Sequence, residues 1–508
     1  MLDIPQAGFI NQVGAPMLAS EGLFVVVPDN AEYRSLTVKL LRQEELPEKY
    51  NLLPTPRDVL ETEELVFAKD SGIYKADEDY PQEAVRYIGT VEILGTRCLH
   101  LAVCPFIYRP LSQKLTVLRE IVITVNYTIV GSKANVQAGV SRDVIENTRY
   151  ASQLLGYKRA ASKDGDDAKP RMIIVTAERL GDSLKILEGV KSFLYDVEIA
   201  YIEKIDESCE GNDLAEKIRS YLLAEHGKSP LSYVILGGGV DMIPTKMITD
   251  NVQHKDELIA NDNYYCSDDM ATPLPIYALG RLPVSAVCYM NEVVDYASYY
   301  DRFYNDNRKK AVFTSYNAPS HTYEQCKRNI KSTLVGDFSV AECYDGLCSQ
   351  TELIQEINKG VGFINYRGHG GCNGWLSGNG LSVKDIPSLT VERETPNVLS
   401  LACHNCGIHQ SVCFGVEWIK QLKAISFLGA SASSYTAVND LFDKYLWEGI
   451  HQKKLTKIGD IFVWGTLELY RNNPESETID NIREYLLLGD PSADYMDDKS
   501  DKQKGERS

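Results

Sequence analysis

Residues 362–375 read GFINYRGHGGCNGW, and residues 397–409 read NVLSLACHNCGIH. Each stretch is an apolar run that ends in a reactive side chain, His369 in the first and Cys403 in the second. Short apolar runs bounded by turn residues are typical of buried strands. Ligands and catalytic groups collect at the carboxyl ends of the strands in a parallel α/β sheet. If the two strands are neighbours, the two side chains are therefore predicted to meet at one edge of the sheet.

The surrounding sequence alternates between strand-like and helix-like segments. RMIIVTAE, VEIAYIEKID and SYVILGGGV are predicted strands, and DSLKILEGVKSFLYD and DLAEKIRSYLLAEHG are predicted helices between them. A second series of the same kind begins at KKAVFTSYN and ends near YLLLGDPSADY. This order predicts an α/β fold with a parallel sheet flanked by helices, in two subdomains at 170–305 and 306–495.

The N-terminal quarter of the chain has a different pattern. GLFVVVPDN, SLTVKLL, GTVEILG, CLHLAVCPFIY and KLTVLREIVITVNYTIV are apolar or alternating runs between turn signals, without a convincing amphipathic helix. Residues 1–130 are therefore predicted to form a separate all-β, sandwich-like domain. Residues 496–508 form a charged tail.

Residues 131–169 are polar and rich in small residues, which is typical of an exposed linker that a protease can cut. A solvated linker without a role in processing has the same composition and is the alternative. The candidate cleavage points are Arg142, Arg149, Lys158, Arg159, Lys163 and Lys169.

The overall charge and length exclude some classes of function. The 508 residues are enough for two to four domains. The 53 Lys and Arg residues against 71 Asp and Glu residues give a formal net charge of −18, which disfavours binding to nucleic acids and anionic membranes. No stretch approaches the roughly 18 apolar residues of a membrane span, and the N-terminus lacks the pattern of a signal peptide. The protein is expected to be cytosolic, or exported with its signal already removed.

Twelve cysteines are many for a cytosolic chain but too sparse for a disulfide scaffold. Cys343 and Cys348 are close enough in sequence to form a disulfide, and so are Cys98 and Cys104. Buried free thiols are the alternative for both pairs.

The residue types at the two strand ends suit acyl transfer. A thiol beside an imidazole can lose its proton to the ring and become a potent nucleophile near neutral pH. Gly368, Gly370 and Gly371 let the backbone approach a substrate. The amides of Gly370 and Cys403 are the predicted donors to the oxyanion of a tetrahedral intermediate. These features together predict cleavage of a peptide or amide bond.

Other interpretations of the same residues remain open. A cysteine at a strand end can be a small buried hydrophobic residue, and a lone histidine is often structural. A zinc site is a further alternative, although structural zinc usually draws a second pair of ligands from farther along the chain. Its candidate ligands are Cys403, Cys406, His409 and Cys413, with Cys372 nearby.

NYRGHGG followed by SLACHN resembles the gingipain family of cysteine peptidases, whose fold is caspase-like. SYVILGGGVDMIPTK, NDNYYCSDD with IYALGRLPV, and YLLLGDPS resemble other parts of the family's catalytic domain, so the resemblance covers about residues 170–495. CPFIYRPLSQKLTVLREIVITVNY resembles part of its prodomain. The resemblance implies that Cys403 is the nucleophile and His369 is the catalytic histidine.

The resemblance also implies an acidic residue that orients the catalytic histidine, just after the strand KKAVFTSY. This sequence has Asn317 there. An asparagine can hold an imidazole by hydrogen bonding, but it does not favour the cationic ring as a carboxylate does. A second departure is Cys406, which stands where the family usually has glycine. Cys406 is expected to provide a second thiol in the loop, to change the packing there, or to form half of a disulfide.

This sequence also departs from the family in the residues that set substrate specificity. A peptidase that prefers Arg or Lys needs a carboxylate in the pocket for the residue before the cleaved bond. In the family, the relevant Asp stands in segments that here read SHTYEQCK and ASASSYT, and neither contains Asp. Glu324 is the candidate substitute in the first segment, and Asp440 lies a little beyond the second. Trp375 and Tyr435 are candidate walls of an apolar or mixed pocket, with burial in the core as the alternative.

The resemblance implies a secreted or cell-surface cysteine endopeptidase, made as a zymogen and acting on protein or peptide substrates. Its own prodomain would act as an intramolecular inhibitor until the linker is cut. No cofactor is required, but family members often bind structural calcium, for which Asp262, Asp268 and Asp269 are candidate ligands. A solvated acidic loop is the alternative for those three residues. A sortase-like transpeptidase of the same family and an inactive binding relative are the alternative functions.

Overall fold

The computed structural model describes residues 8–10, 12–28, 30–59, 66–93, 96–130, 135–140, 169–249, 257–317, 323–334, 336–391 and 395–496, with only the backbone given for 135–140. The predicted linker and tail therefore lie outside the described residues, apart from 135–140, Lys169 and Met496. The described residues fall into two compact units. The first consists of those within Met1–Val59, Glu64–Lys158 and Leu467–Ile479, and the second of those within Arg159–Thr466 and Asp480–Ser508.

The N-terminal part of the first unit is built from antiparallel strands, as predicted. Its elements are β1 (Gly8–Phe9), β2 (Ala19–Val26), β3 (Ala31–Glu45), α1 (Ser71–Lys75), β4 (Val85–Ile93), β5 (Thr96–Val103), β6 (Phe106–Arg109), β7 (Lys114–Ile129) and β8 (Asn135–Val140). One sheet has the order β1-β2-β5-β4, and a second has the order β3-β7-β6. In the second sheet β8 also pairs with β7. Apolar side chains of β2 and β5 from one sheet and of β7 from the other share one core, which confirms the sandwich-like fold.

The short helix α1 is absent from the sequence prediction. It is only five residues long, and it begins where the Asp70 carboxylate accepts hydrogen bonds from the amides of Gly72 and Ile73. A single helical turn has too few residues to produce an amphipathic pattern.

The rest of the chain alternates strands and helices. The strands are β9 (Arg171–Thr176), β10 (Asp196–Tyr201), β11 (Leu231–Gly237), β12 (Lys246–Ile248), β13 (Ile259–Asn261), β14 (Ala278–Leu282), β15 (Lys310–Ser315), β16 (Ser339–Glu342), β17 (Phe363–Arg367), β18 (Gly370–Gly371), β19 (Gly374–Trp375), β20 (Asn397–Leu401), β21 (Ser426–Ala430) and β22 (Tyr485–Gly489). The helices are α2 (Gly181–Lys191), α3 (Ile202–Ser208), α4 (Leu214–Lys228), α5 (Val287–Arg302), α6 (Tyr323–Thr333), α7 (Gln350–Asn358), α8 (Phe414–Lys420), α9 (Thr436–His451), α10 (Ile458–Asn472) and α11 (Ser476–Glu484). Among the described residues, no helix has the length and apolar character needed to span a membrane.

The second unit is organised around one large sheet with the strand order β10-β9-β11-β14-β22-β21-β20-β17-β15-β16. β21 and β22 pair antiparallel, and the other neighbouring strands pair parallel. Both predicted subdomains contribute strands to this sheet. The prediction of an α/β fold with a mostly parallel sheet is confirmed.

The strand β17 shows how a fully buried strand accommodates polar residues. All five of its residues are buried, including Asn365 and Arg367. The Asn365 side-chain oxygen accepts hydrogen bonds from Lys327 Nζ on α6 at 2.6 Å and from the Trp447 indole on α9 at 2.8 Å. Lys327 also donates to Asp443 on α9, and both side chains of this ion pair are fully buried. Polar groups taken out of water must be paired in this way, so the two helices are fixed against β17.

We expect the replacement of either partner of the Lys327–Asp443 pair to destabilise the protein strongly. Lys327→Met and Asp443→Leu should each lower the free energy of unfolding by about 3–5 kcal/mol, because each leaves a buried charge unpaired. The double variant should be more stable than either single variant, since it leaves no buried charge. Thermal and denaturant unfolding measure the change. Lys185→Met, which removes one partner of an exposed pair, should have little effect, and simple additivity in the double variant would contradict the expectation.

Candidate active site

The candidate site lies where the neighbouring strands β17 and β20 end. The two strands pair in parallel, and the last pair in their register is Arg367 with Leu401. The amide of Gly368 then donates to the carbonyl of Leu401 at 3.3 Å. His369 and Cys403 each follow two residues after the last pair, so equal lengths of chain lead from the sheet to both side chains.

Cys403 is held at the start of a sharp turn. Its side chain is in the interior, with the residue 5% exposed. The next residue, His404, has a φ of 59°, a left-handed conformation that non-glycine residues rarely adopt and that turns the chain away from the strand direction. The Cys403 sulfur accepts a hydrogen bond from the amide of Ser434 at 3.2 Å and lies 3.5 Å from its hydroxyl. An amide donor at sulfur is the kind of contact that stabilises a thiolate.

His369 is surrounded mainly by aromatic rings. Its ring centroid is 4.6 Å from that of Tyr316 and 5.9 Å from that of Tyr323, both with steep interplanar angles. Its backbone carbonyl accepts hydrogen bonds from the Tyr366 hydroxyl at 2.8 Å and from the Leu376 amide at 3.0 Å. Burial lowers the pKa of the imidazole, and the nearby Arg367 cation lowers it further. The ring is therefore neutral at neutral pH and able to accept a proton.

The backbone of Gly370 packs directly against that of Cys403. A Cβ atom placed on Gly370 would lie 2.6 Å from the Cys403 carbonyl oxygen and 2.8 Å from the Ala402 Cβ. By contrast, a Cβ on Gly371 would have no atom within 4 Å. The structure thus brings together the two residues whose amides are predicted to bind an oxyanion, and only glycine fits at the first of them.

Asn405 links the loop of the cysteine to the loop of the histidine, a role that the sequence analysis missed. Its side chain is fully buried and donates to the carbonyls of Gly371 at 2.8 Å and Gly374 at 3.3 Å, in the small hairpin of β18 and β19. Its oxygen accepts a hydrogen bond from the Ser400 hydroxyl at 2.6 Å. The only signal in the sequence was an amide side chain within the motif SLACHN.

A second polar cluster beside Cys403 was also missed. His404 Nε2 lies 3.2 Å from a carboxylate oxygen of Glu257 and 3.1 Å from the Ser433 hydroxyl. The same Glu257 oxygen accepts hydrogen bonds from the amide and the hydroxyl of Ser433. Glu257 is nearly 150 residues away from His404 in the chain, and no local pattern relates the two.

Asn317, the residue predicted to orient His369, lies at the end of the described segment that follows β15. It is exposed, and no hydrogen bond joins it to the imidazole, both residues belonging to the described part of the chain. The preceding residue, Tyr316, packs its ring against the imidazole. Residues 318–322, which follow, lie outside the described residues.

The predicted substrate-binding residues have other partners. Trp375 is buried, stacks on Tyr366 and donates to the Ser400 hydroxyl at 2.8 Å. Tyr435 is buried and donates to Asp480 at 2.8 Å. These contacts favour the alternative that both rings pack within the core. Glu324 lies in the first turn of α6 and pairs with Arg328 at 2.7 Å.

The predicted calcium ligands do not converge. Asp262 is buried and uses both carboxylate oxygens to pair with Arg281, at 2.6 and 2.8 Å. Asp268 is exposed, and the Asp269 carboxylate accepts hydrogen bonds within its own turn, from Ala271 and Thr272. Within the part of the chain that the structure describes, no group of three or more His, Cys, Asp or Glu side chains is arranged to hold a metal ion. These residues therefore do not fit the calcium site, and the zinc alternative finds no support.

The cysteines near the site differ in their environments. Cys406 is a fully buried free thiol whose pKa is raised well above its usual value by burial, and it packs where Gly415 and Gly429 leave room. It is thus a packing residue rather than a second nucleophile or half of a disulfide. Cys343 and Cys348 form a disulfide, whereas Cys98 and Cys104 are free and buried.

Comparison with known proteins agrees with this architecture. Gingipain R2 of Porphyromonas gingivalis is 20% identical over 427 residues, which are 78% of this chain and 54% of that protein. The chain thus spans about half the length of this relative. The crystal structure of the Arg specific cysteine proteinase gingipain R (RGPB) superposes with a TM-score of 0.57 at 20% identity, covering 66% of this chain and 80% of that one. The complex of Porphyromonas gingivalis RgpB pro- and mature domains gives 0.56 at 19% identity, covering 64% and 79%.

Two family models cover nearly the whole chain. The model described as Propeptide_C25 matches residues 2–159, before the large α/β sheet begins. The model described as Peptidase family C25 matches residues 165–496, which include the strands β17 and β20 with the histidine and the cysteine at their ends. The chain belongs to peptidase family C25 and carries the family's propeptide at its N-terminus.

Proposed function

We propose that this protein is a cysteine endopeptidase, made as a zymogen, that cleaves peptide bonds with Cys403 as nucleophile and His369 as general base and acid. The observation that carries the proposal is the register of β17 and β20, which places both side chains two residues beyond the same strand pair. The pKa of His369, lowered by burial and by Arg367, supports the role of a base.

In the first half of the proposed reaction, His369 accepts the thiol proton while the Cys403 sulfur attacks the carbonyl carbon of the scissile bond. The carbonyl oxygen becomes an oxyanion, for which the amides of Gly370 and Cys403 are the proposed donors. When the tetrahedral intermediate collapses, the C–N bond breaks and His369 gives its proton to the leaving amine. The acyl group remains on sulfur as a thioester.

In the second half, water attacks the thioester carbonyl while His369 takes one of its protons. The C–S bond then breaks, the acid product leaves, and the proton returns to the sulfur of Cys403. The balance requires only water in addition to the peptide, so the mechanism needs no cofactor.

The match of residues 2–159 to the C25 propeptide supports a zymogen in which the prodomain restrains the catalytic unit until the chain is cut between them. We place the processing site within 131–169, as the sequence analysis predicts, and we place the protein outside the cell or at its surface because of its likeness to gingipains. Its substrates are then proteins or peptides, together with its own linker.

Processing of the full chain tests the nucleophile. We expect the wild-type protein, incubated with a reductant, to be cut within 131–169, and Cys403→Ala and His369→Gln to remain intact. New N-termini mapped by mass spectrometry measure the cleavage. Cys288→Ala, which removes an exposed thiol on α5, serves as the matched control and should be cut like wild type. Equal cleavage of Cys403→Ala would rule out the proposed mechanism.

The pH dependence of Cys403 alkylation tests the base. The imidazole accepts the thiol proton only when it is neutral, and its pKa lies below the ordinary value of 6.5. The rate of alkylation by iodoacetamide should therefore persist as the pH falls through 6.5 and should be lost only below it. Site-resolved mass spectrometry after timed labelling gives the midpoint. A midpoint near the ordinary pKa of a free thiol, with no change in His369→Gln, would contradict the assignment of the base.

Gly370 and Gly371, in the hairpin of β18 and β19, test whether the close approach of the backbone to Cys403 matters. We expect Gly370→Ala to slow peptide cleavage and Cys403 alkylation by about tenfold or more, because its Cβ would displace the Cys403 carbonyl. Gly371→Ala is the control, since the added methyl group meets no other atom within 4 Å. Both rates are measured beside the thermal stability of each variant. Equal rates in the two variants would show that the contact with Cys403 is unimportant.

A further inference from the structure

Arg367 ends the strand β17 and is fully buried beneath the candidate site. A buried guanidinium is costly unless its donors are satisfied. Nε donates to an Asp440 carboxylate oxygen at 2.7 Å, Nη1 to the Leu401 carbonyl at 3.2 Å, and Nη2 to the Thr436 carbonyl at 2.7 Å. One rigid side chain therefore joins the ends of β17 and β20 to the first turn of α9.

These acceptors lie close in sequence to the groups that contact the reacting thiol. Leu401 precedes Cys403 by two residues, as Arg367 precedes His369. Thr436 follows Ser434, whose amide donates to the Cys403 sulfur, by two residues as well. The guanidinium thus fixes three chain segments at the points from which the site is built.

Arg367 and the His369 imidazole pack against the same aromatic ring, that of Tyr323. Its guanidinium carbon lies 4.3 Å from the centroid of the Tyr323 ring, which packs nearly perpendicular to the His369 ring. Tyr316 after β15 and Tyr323 on α6 pack against the imidazole, and the charge of Arg367 on β17 acts on it. Asp440 on α9 pairs with Arg367, and Cys403 follows the neighbouring strand β20.

We propose that Arg367 is a positioning residue for the peptidase reaction, and that Asp440 balances its charge. In this role the fully buried Arg367 acts through His369 and Cys403 and not on the substrate itself. It holds the two strand ends in the arrangement that sets His369 beside Cys403, and it disfavours a second positive charge on the imidazole. This inference rests on the proposed function, because it assigns a role in the same reaction.

Replacement of Arg367 and replacement of Asp440 should shift the pH dependence of Cys403 alkylation in opposite directions. Removal of the cation in Arg367→Gln should raise the midpoint pH of Cys403 alkylation. Removal of its counter-charge in Asp440→Asn should lower that midpoint, since an uncompensated cation then acts on His369. Arg367→Lys keeps the charge but loses the three-way fork, so its midpoint should stay at the wild-type value while the rate falls about tenfold or more.

The experiment measures iodoacetamide labelling of Cys403 in the full chain across a pH series, with thermal unfolding and circular dichroism of each variant. Arg281→Gln is the matched control, because Arg281 lies on β14 of the same sheet, is also fully buried and is paired with an aspartate, Asp262. It should lose stability and leave the midpoint unmoved.

Opposite shifts in Arg367→Gln and Asp440→Asn would support the proposal, and Asp440→Asn alone decides it if Arg367→Gln does not fold. If Arg367→Gln and Asp440→Asn fold and lose rate without a shift in midpoint, Arg367 is only a structural residue and the proposal is overturned. If wild-type Cys403 reacts no faster than the exposed Cys288, the proposed nucleophile itself fails. If wild-type Cys403 reacts faster than Cys288 but the midpoint does not shift in Arg367→Gln or Asp440→Asn, only the role of Arg367 is overturned.

Discussion

The parallel pairing of β17 with β20 is the constraint on which the candidate site depends. Parallel strands put their carboxyl ends at the same edge of the sheet, and the register ends at Arg367 and Leu401. From that pair, two residues on each strand lead to His369 and Cys403. A slip of one residue in either strand would reverse the faces of its side chains and separate the two groups. The register is therefore a requirement of the proposed chemistry as well as of the fold.

That register is stabilised by polar side chains that the core would otherwise exclude. Asn365 and Arg367 point to the face covered by α6 and α9, where Lys327, Asp443 and Asp440 pair with them or with each other. An apolar core tolerates small rearrangements, whereas a buried ion pair fixes its partners in one geometry because any other leaves a charge unsatisfied. The helices behind the site are thus held in place by electrostatic pairing, in addition to hydrophobic contact.

The sequence was sufficient to predict the elements that depend on local pattern. The alternation of strand-like and helix-like segments predicted the parallel sheet. The apolar runs of β17 and β20, with a histidine and a cysteine at their ends, predicted the pair of reactive groups. Asn405, Glu257 and the partners of Arg367 were not predicted, because these contacts join residues that are far apart in the chain or belong to loops without periodicity. Trp375 and Tyr435 show the opposite problem, since an aromatic residue beside a motif looks the same in sequence whether it lines a pocket or fills the core.

The surroundings of the imidazole also influence whether the resting Cys403–His369 pair is neutral or a thiolate–imidazolium ion pair. A carboxylate beside a histidine favours the imidazolium and hence an ion pair with a thiolate, but the described contacts of the His369 ring are with Tyr316 and Tyr323, with a cation beneath. Such an environment favours the neutral ring. The thiol then keeps its proton until the substrate arrives, and proton transfer accompanies attack on the carbonyl. Before attack, the Ser434 amide is a donor to the sulfur that requires no second charge in the site.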